Sequence, residues 1–557
     1  MALIEMRNVS FGYPDEKENA VQCVSLHINQ GEFVAIGGPS GCGKTTLLKL
    51  LKKELTPVGK LTGSIHYKNQ ELDEGLSSEI GYVFQNPENQ MVMDNVLSEL
   101  VFGLENHGVK TSEMRQRVAE MVDFFGLEEL LHEDTITLSG GQKQLINLAS
   151  ILLLKPKVLL LDEPTSQLDP VQAKEFLQFL RRLNEEFGIT IILVEHRLED
   201  VYALADKLML MASGKLVYHD MMKDVIDEIW KNQDQRFLPY LPSLSKLFFL
   251  HHKNGYEAND IPVTVKEAQN WLNHSLSGIA DQKEKGIETA LEKEEKVILQ
   301  IRNLHFKYSN NTPYILKNLT LDVREGELLA IVGGNGSGKT TLLKCCVNML
   351  KPLKGRVELD KKKIGSFQKQ GMEQHIGYLP QNPLLCFMTE TLEEELATIA
   401  SRLHLERAEE RINSILEELA LQDMQKRHLH DCSGGEQQKA ALATILLHRP
   451  RIMLIDEPTK GMDPISKQNF AGVIKQLQKS GITIIMVTHD IEFVAEHATR
   501  CAWLFDGEIS SIGRTEDVLK GNYFYTTTIN RVTRDTGYLE ALTLEEASAA
   551  WKNPILL

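Results

Sequence analysis

Two stretches, "GPSGCGKT" at 38–45 and "GGNGSGKT" at 333–340, share the spacing G-x-x-x-x-G-K-T. Glycines at such spacing let backbone N–H groups close around phosphates, and a lysine pairs with the terminal phosphate oxygens. The threonine that follows offers a hydroxyl to Mg²⁺. The phosphate-gripping set is therefore Gly38, Ser40, Gly41, Gly43, Lys44, Thr45 and Thr46 in one copy. In the other it is Gly333, Asn335, Gly336, Gly338, Lys339, Thr340 and Thr341. Two further stretches, "LLLDEP" and "MLIDEP", end apolar runs in adjacent acids. Asp162 and Asp456 are placed to hold Mg²⁺ through water. Glu163 and Glu457, one residue on, point elsewhere and are placed to orient or deprotonate a water in line with a γ-phosphate. His196 and His489 end the next apolar runs, where parallel strands bring their C-termini to the ligand crevice.

Positioning these groups requires short buried strands alternating with helices. "EFVAIGG", "KVLLLDEP" and "TIILVEH" are continuous apolar runs suited to buried parallel strands, and amphipathic helical runs lie between them. The fold class is α/β. Lys44 and Lys339, Ser139 and Ser433, Asp162 and Asp456, and His196 and His489 recur at nearly constant spacing, so two homologous domains stand in tandem. The expected limits are 1–226 for the first domain and 297–520 for the second. Residues 227–296 form an appendage plus a charged linker, "DQKEKGIETALEKEEK", and 521–557 a small C-terminal appendage. "TRDTGYLEALTLEEASAAW" in the last segment faintly echoes "IPVTVKEAQNWL" at 261–272. A hairpin is expected around Ser213-Gly214 in "KLMLMASGKLVYH".

The bulk numbers narrow the classes. With 557 residues, 42 % hydrophobic and 25 % charged, this is the composition of an ordinary soluble protein. No run approaches the roughly 18 apolar residues of a membrane span, and the start lacks a signal peptide's pattern. Seven cysteines without C-x-x-C spacing read as buried free thiols in a reducing cytosol. A net charge of −16 argues against nucleic acid as the main partner.

In this order, glycine loop, "LSGGQ", "DEPT" and histidine, the chain resembles two ATP-binding-cassette (ABC) ATPase domains. The resemblance implies two tandem P-loop domains, each with a mainly parallel sheet core, an antiparallel β subdomain and a helical subdomain, using ATP and Mg²⁺. It implies that Gln85 and Gln381 are Q-loop glutamines touching Mg²⁺, and that Tyr13 and Tyr308 stack on adenine. Asp169 and Asp463 match the D-loop aspartate. It also implies that each signature completes the site of the opposite domain in a head-to-tail pair. Ser139, Gly140, Gly141 and Gln142 would serve the Lys339 site, and Ser433, Gly434, Gly435 and Glu436 the Lys44 site. The second signature departs from the pattern, with Cys432 for leucine and Glu436 for glutamine. Two hydrolysing and unequal sites are expected.

"VFQNPENQMVMDNVLSELVFG" further resembles the ATPases of energy-coupling-factor (ECF) and cobalt-type importers, and "IGYLPQNPLLCFMTETLEEEL" is a looser version. There the segment engages a transmembrane T component, which places Gln90, Met91 and neighbouring Met93 at a coupling surface. The resemblance implies a peripheral protein on the cytoplasmic face of the cell membrane, working with T and substrate-binding S components. Its usual cargo is a vitamin, a thiamine precursor, or a cobalt or nickel ion. The competing class is a soluble double-cassette protein acting on ribosomes or nucleic acid, which the mixed-charge linker and acidic balance disfavour.

Overall fold

The computed structural model describes residues 2–14, 16–72, 79–252, 255–275, 296–367, 371–534 and 540–551. It divides into two compact units, Met1–Ser245 with Asn254–Thr264, and Lys246–Lys253 with Val265–Leu557.

Each unit is built on the same two sheets. In the first, an antiparallel sheet runs in the order Val21–Asn29, Ala2–Gly12, Lys60–Tyr67, Gln70–Glu71. Its strand Val21–Asn29 alternates between buried and less buried residues, as a sheet with one covered face requires. A six-stranded sheet runs Lys215–Met221, Lys207–Ala212, Phe33–Gly37, Thr190–Val194, Val158–Asp162, Ile80–Val83. All its neighbours pair parallel except Lys215–Met221, which closes on Lys207–Ala212 as a hairpin. Ser213 and Gly214 both have positive φ at that turn, 46° and 76°, matching the twist of a two-residue hairpin loop. Every residue of Phe33–Gly37, Val158–Asp162 and Thr190–Val194 is buried, which is why these strands read as unbroken apolar runs.

The second unit repeats the plan. Its antiparallel sheet is Leu316–Arg324, Val297–Phe306, Lys354–Leu359, Lys362–Lys363. Its six-stranded sheet is Ile376–Leu379, Ile452–Asp456, Thr483–Thr488, Leu328–Val332, Arg500–Phe505, Glu508–Arg514. A helical part follows Ile80–Val83 in the first unit and Ile376–Leu379 in the second: Val96–Asn106, Thr111–Phe125 and Gly140–Leu152, then Leu392–Arg402, Ala408–Glu418 and Gly434–Leu446. Cys432 is buried in the apolar core of the second helical part with Leu429 and Ile415, so it fills the slot of the expected leucine.

The stretch 227–296 is shared between the units. Helix Val265–Ser275 belongs to the second, where Gln269 Nε2 donates to the carbonyl of Arg531, 3.0 Å away. The echo between the two appendages has a structural form: Val265–Ser275 and Leu544–Trp551 are both helices that start directly after a threonine. The charged linker lies outside the described residues except for Lys296. Among the described residues, no helix is long and apolar enough to cross a membrane.

Candidate active site

The phosphate loop forms where the buried strand Phe33–Gly37 meets helix Lys44–Leu50. Gly38 and Gly43 take φ of 140° and 101°, and a Cβ there would fall 2.3 Å from the Met211 carbonyl and 2.1 Å from that of Ala20. Only glycine fits both. Lys44 Nζ donates to the carbonyls of Gly38 (2.8 Å) and Pro39 (2.9 Å), so its charge sits inside the curl of the loop. Lys339 does the same with Gly333 (2.8 Å) and Gly334 (3.0 Å).

Beside each loop is a corner of hard oxygens. Thr45 Oγ1 donates to Asp162 Oδ1 and Thr340 Oγ1 to Asp456 Oδ1, both at 3.0 Å. A tyrosine completes each corner: the Tyr82 hydroxyl donates to Asp162 Oδ2 at 3.2 Å and the Tyr378 hydroxyl to Asp456 Oδ2 at 3.1 Å. Burial pushes both aspartates above the usual carboxylate range, helped at Asp162 and Asp456 by the neighbouring charge of Glu163 and Glu457. In each unit a buried carboxylate held beside a threonine hydroxyl fits a hard divalent cation such as Mg²⁺. Burial makes the charged carboxylate costly to the fold. The stability contributed by the neutral acid is full below the unfolded aspartate value, about 3.9, and is lost as pH rises through the raised folded value. Asp162→Asn is therefore expected to raise the melting temperature of the nucleotide-free protein at pH 7, in a thermal scan, while abolishing metal-dependent hydrolysis at that site. A lower melting temperature would mean the charged form is stabilising.

Glu163 and Glu457 follow these aspartates with φ of 47° and 49°, a left-handed conformation that turns each side chain away from its strand. Their N–H groups donate to Val194 and Val487, both at 2.9 Å, which pins the turn. Glu163 Oε1 lies 2.7 Å from His196 Nε2, and Glu457 Oε2 lies 2.6 Å from His489 Nδ1. The structure thus brings glutamate and histidine together in both units. The third partner differs. Gln85 Nε2 donates to Glu163 Oε2 at 2.7 Å, whereas Lys339 Nζ lies 3.5 Å from Glu457 Oε1. Burial alone pushes Glu457 up, but the bond and charge of His489 and the charge of Lys339 outweigh it and hold the carboxyl low. Gln381 is exposed.

The signatures open helices. Ser139 caps Gly140–Leu152 in a reciprocal box: its N–H donates to Gln142 Oε1 (2.8 Å), and Gln142 N–H to Ser139 Oγ (3.3 Å). Ser433 and Glu436 form the same box, and Glu436 also accepts the Ser433 hydroxyl at 2.7 Å. Glu436 is thus tied to its own cap, with Arg427 3.9 Å away. Gly141 and Gly435 pack against Gln172 and Ser466, and the Cβ position of Gly434 faces open space among the described residues. Asp169 and Asp463 each accept two N–H bonds at the start of the following helix, so both have a local capping task. Tyr13 and Tyr308 share a hydroxyl contact with Thr46 and Thr341, 3.1 Å in each, which sets both rings beside the phosphate-loop helix.

The Q-loop segment differs from expectation in detail. Gln90 turns inward, accepting the Phe84 N–H on Oε1 at 3.1 Å, and Met91 and Met93 are half-buried. Val92 is the exposed residue, at 64 %. Sequence reasoning also passed over Tyr82 and Tyr378, whose signal is their shared place in "IGYVFQN" and "IGYLPQN". It passed over Glu99 and Glu395 as well, buried acids inside "VLSEL" and "LEEEL".

Comparison with known proteins agrees with this geometry. The ABC transporter family profile matches residues 21–166 and 316–460. A protein of Bacillus thuringiensis subsp. konkukian, provisionally named an ABC transporter ATP-binding protein, is 45 % identical over 561 residues, covering 100 % of both chains. One of the same provisional name from Methanosarcina mazei is 34 % identical over 532 residues, 93 % of this chain and 90 % of its own. A solved structure, cbiO1 from Clostridium perfringens, described as part of the ABC transporter complex cbiONQ, is 29 % identical with a TM-score of 0.39. It covers 41 % of this chain and 92 % of its own. With two ATP-binding cassettes in tandem, this chain is an ATPase and belongs to the ABC transporter ATP-binding family.

Proposed function

We propose that the chain is the motor of an ECF-type importer, docked on the cytoplasmic face of the membrane against a transmembrane T component and a substrate-binding S component. The observation that carries this reading is a pair of exposed apolar residues in the segment after each Q-loop glutamine. Val92 and Met388 hold equivalent positions, exposed at 64 % and 75 %. Behind them the buried Glu99 and Glu395 each accept two backbone N–H bonds, from Val92 and Met93 and from Met388 and Thr389. Ile136 in the first unit and Leu385 in the second are exposed too, and the turn carrying Ile136 bonds back to Met93 and Asp94. Rigid, exposed apolar points are what a helix of another subunit would bury. The provisional names of the relatives, ABC transporter ATP-binding proteins, support the coarser part of this reading, a transporter motor.

In each cycle the lysine and loop N–H groups would hold the ATP phosphates. Tyr13 or Tyr308 would take the adenine, and Glu163 or Glu457 would accept a proton from the attacking water, with His196 or His489 aligning the carboxylate. Thr45, Asp162 and Gln85, or Thr340, Asp456 and Gln381, would hold Mg²⁺, which neutralises charge developing on the phosphates. The signatures Ser139 to Gln142 and Ser433 to Glu436 would close on nucleotide bound by the opposite cassette, making ATP the glue of the closed state.

Val92→Asp with Met388→Asp is expected to abolish capture of membrane partners and uptake, leaving basal ATPase within about twofold of wild type. Equal loss of nucleotide binding would show that the segment serves the fold and not a partner. The resemblance to importer ATPases implies that Gln90 and Met91 also lie at this surface. Charged residues there test whether the inward-facing Gln90 supports it from behind.

A further inference from the structure

Directly before His196 lies an acid with no counterpart in the second unit. Glu195 is 2 % exposed at the end of strand Thr190–Val194, and its N–H donates to the Ile36 carbonyl at 3.2 Å. Its Oε1 accepts two bonds from one residue, the N–H of Thr165 at 3.0 Å and the Thr165 hydroxyl at 2.7 Å. Thr165 sits in the turn that begins at Asp162, three residues after it, and the Ser166 N–H donates to the Glu163 carbonyl at 3.1 Å. A buried carboxylate survives only with such donors, and here both belong to the turn that carries Glu163 in its left-handed conformation.

The second unit is built otherwise. Thr488 occupies the place of Glu195, and its hydroxyl accepts the Asp490 N–H at 3.0 Å, two residues along its own chain. Asp490 then pairs with Lys467 at 2.6 Å.

Resting on the assignment of Glu163 as the general base, we propose that Glu195 is a positioning residue of the first ATP site. Through Thr165 it fixes the turn from Asp162 to Ser166 and hence the aim of Glu163, a hold the second site lacks. Asymmetry between the sites then lies behind the glutamate as well as in the signatures. A pH response follows. Burial pushes Glu195 up to about 7, so it changes charge in the neutral range. The ionised carboxylate accepts the two Thr165 bonds more strongly than the neutral acid, so the hold tightens as pH rises through that value. The titratable groups facing Glu195 are Glu163, from the turn after the neighbouring strand, and His196, from its own. His196 stays in every variant, and the comparison therefore isolates Glu195.

The test is steady-state ATP hydrolysis by the full chain from pH 5.5 to 9 in a Glu457→Gln background, with melting temperature alongside. Glu195→Gln should lower kcat about threefold at pH 8, leave KM for ATP within about twofold, and flatten the rise around neutrality. Glu195→Thr, the residue of the second site, should lower kcat about tenfold. In a Glu163→Gln background, which reads the second site, both changes should cost less than about twofold. If Glu457→Gln alone turns over no faster than the double glutamine chain, the sites are obligatorily coupled. The same kcat loss and flattening must then appear in the otherwise wild-type chain. An unchanged kcat and pH profile, or an equal loss at both sites, overturns the proposal, whatever the melting temperature does. Turnover of the Glu163→Gln, Glu457→Gln chain near the wild-type level would instead unseat the general-base assignment itself.

Discussion

Replacing Glu163 and Glu457 together with glutamine is expected to lower ATP turnover about 1,000-fold while ATP binding stays within a few-fold of wild type. Glutamine keeps the shape of the side chain and an oxygen for the histidine, but it cannot take a proton from water. The hydrogen bonds around each glutamate fix its aim and do not hold the nucleotide, so the loss should fall on kcat. If the signatures close on bound ATP as proposed, the double variant should also keep ATP bound long after wild type has released ADP, because hydrolysis would then be the step that opens the closed state. A filter-binding assay with radiolabelled ATP, run beside a phosphate-release assay, reads both. Glu163→Gln alone leaving turnover per chain untouched would remove hydrolysis from the Lys44 site.

Exchange of Lys44 and Lys339 for alanine should act on binding. Each ammonium is buried and held by two loop carbonyls, poised where phosphate oxygens must enter. Without it, the loop keeps its N–H donors and loses its full positive charge. About 100-fold weaker ATP binding is expected for the double variant, since a buried charge-assisted bond to phosphate is worth roughly 1.5–3 kcal/mol. The single variants should differ. Lys339 also stands 3.5 Å from Glu457, so Lys339→Ala frees that carboxylate from a cation that helps keep it ionised. In a Glu163→Gln background, which reads the second site, the residual turnover of Lys339→Ala should therefore fall further at acidic pH than that of the chain that keeps Lys339. Identical pH profiles would remove the Lys339–Glu457 contact from the working site.

Much of this site was legible because phosphate chemistry fixes both residue type and spacing. The glycine loops, the paired acids and the strand-end histidines have no freedom to drift, and the structure places each pair within bonding distance. Residues that act through a neighbour left fainter traces. Glu195 stands between an apolar strand and a histidine, where its letter gives no hint that it reaches Thr165, thirty residues earlier in the chain. The resemblance to importer ATPases implies that Gln90 lies at a coupling surface. Its amide instead satisfies the backbone of Phe84, and apolar Val92 meets solvent. The limits of the appendages were equally faint. Helix Val265–Ser275 packs by tertiary contact on a segment more than 250 residues later, and no local pattern in "VKEAQNWLNHS" encodes that partner.

The most direct measurement is affinity purification of this chain from gently solubilised membranes of its native host, with identification of what comes with it. For an importer motor, one or two small polytopic membrane proteins are expected, lost in the Val92→Asp, Met388→Asp variant, and the substrate-binding member among them would name the cargo. Ribosomal proteins or nucleic acid, with no membrane partner, would contradict it and assign the same ATP-driven switch to a soluble machine.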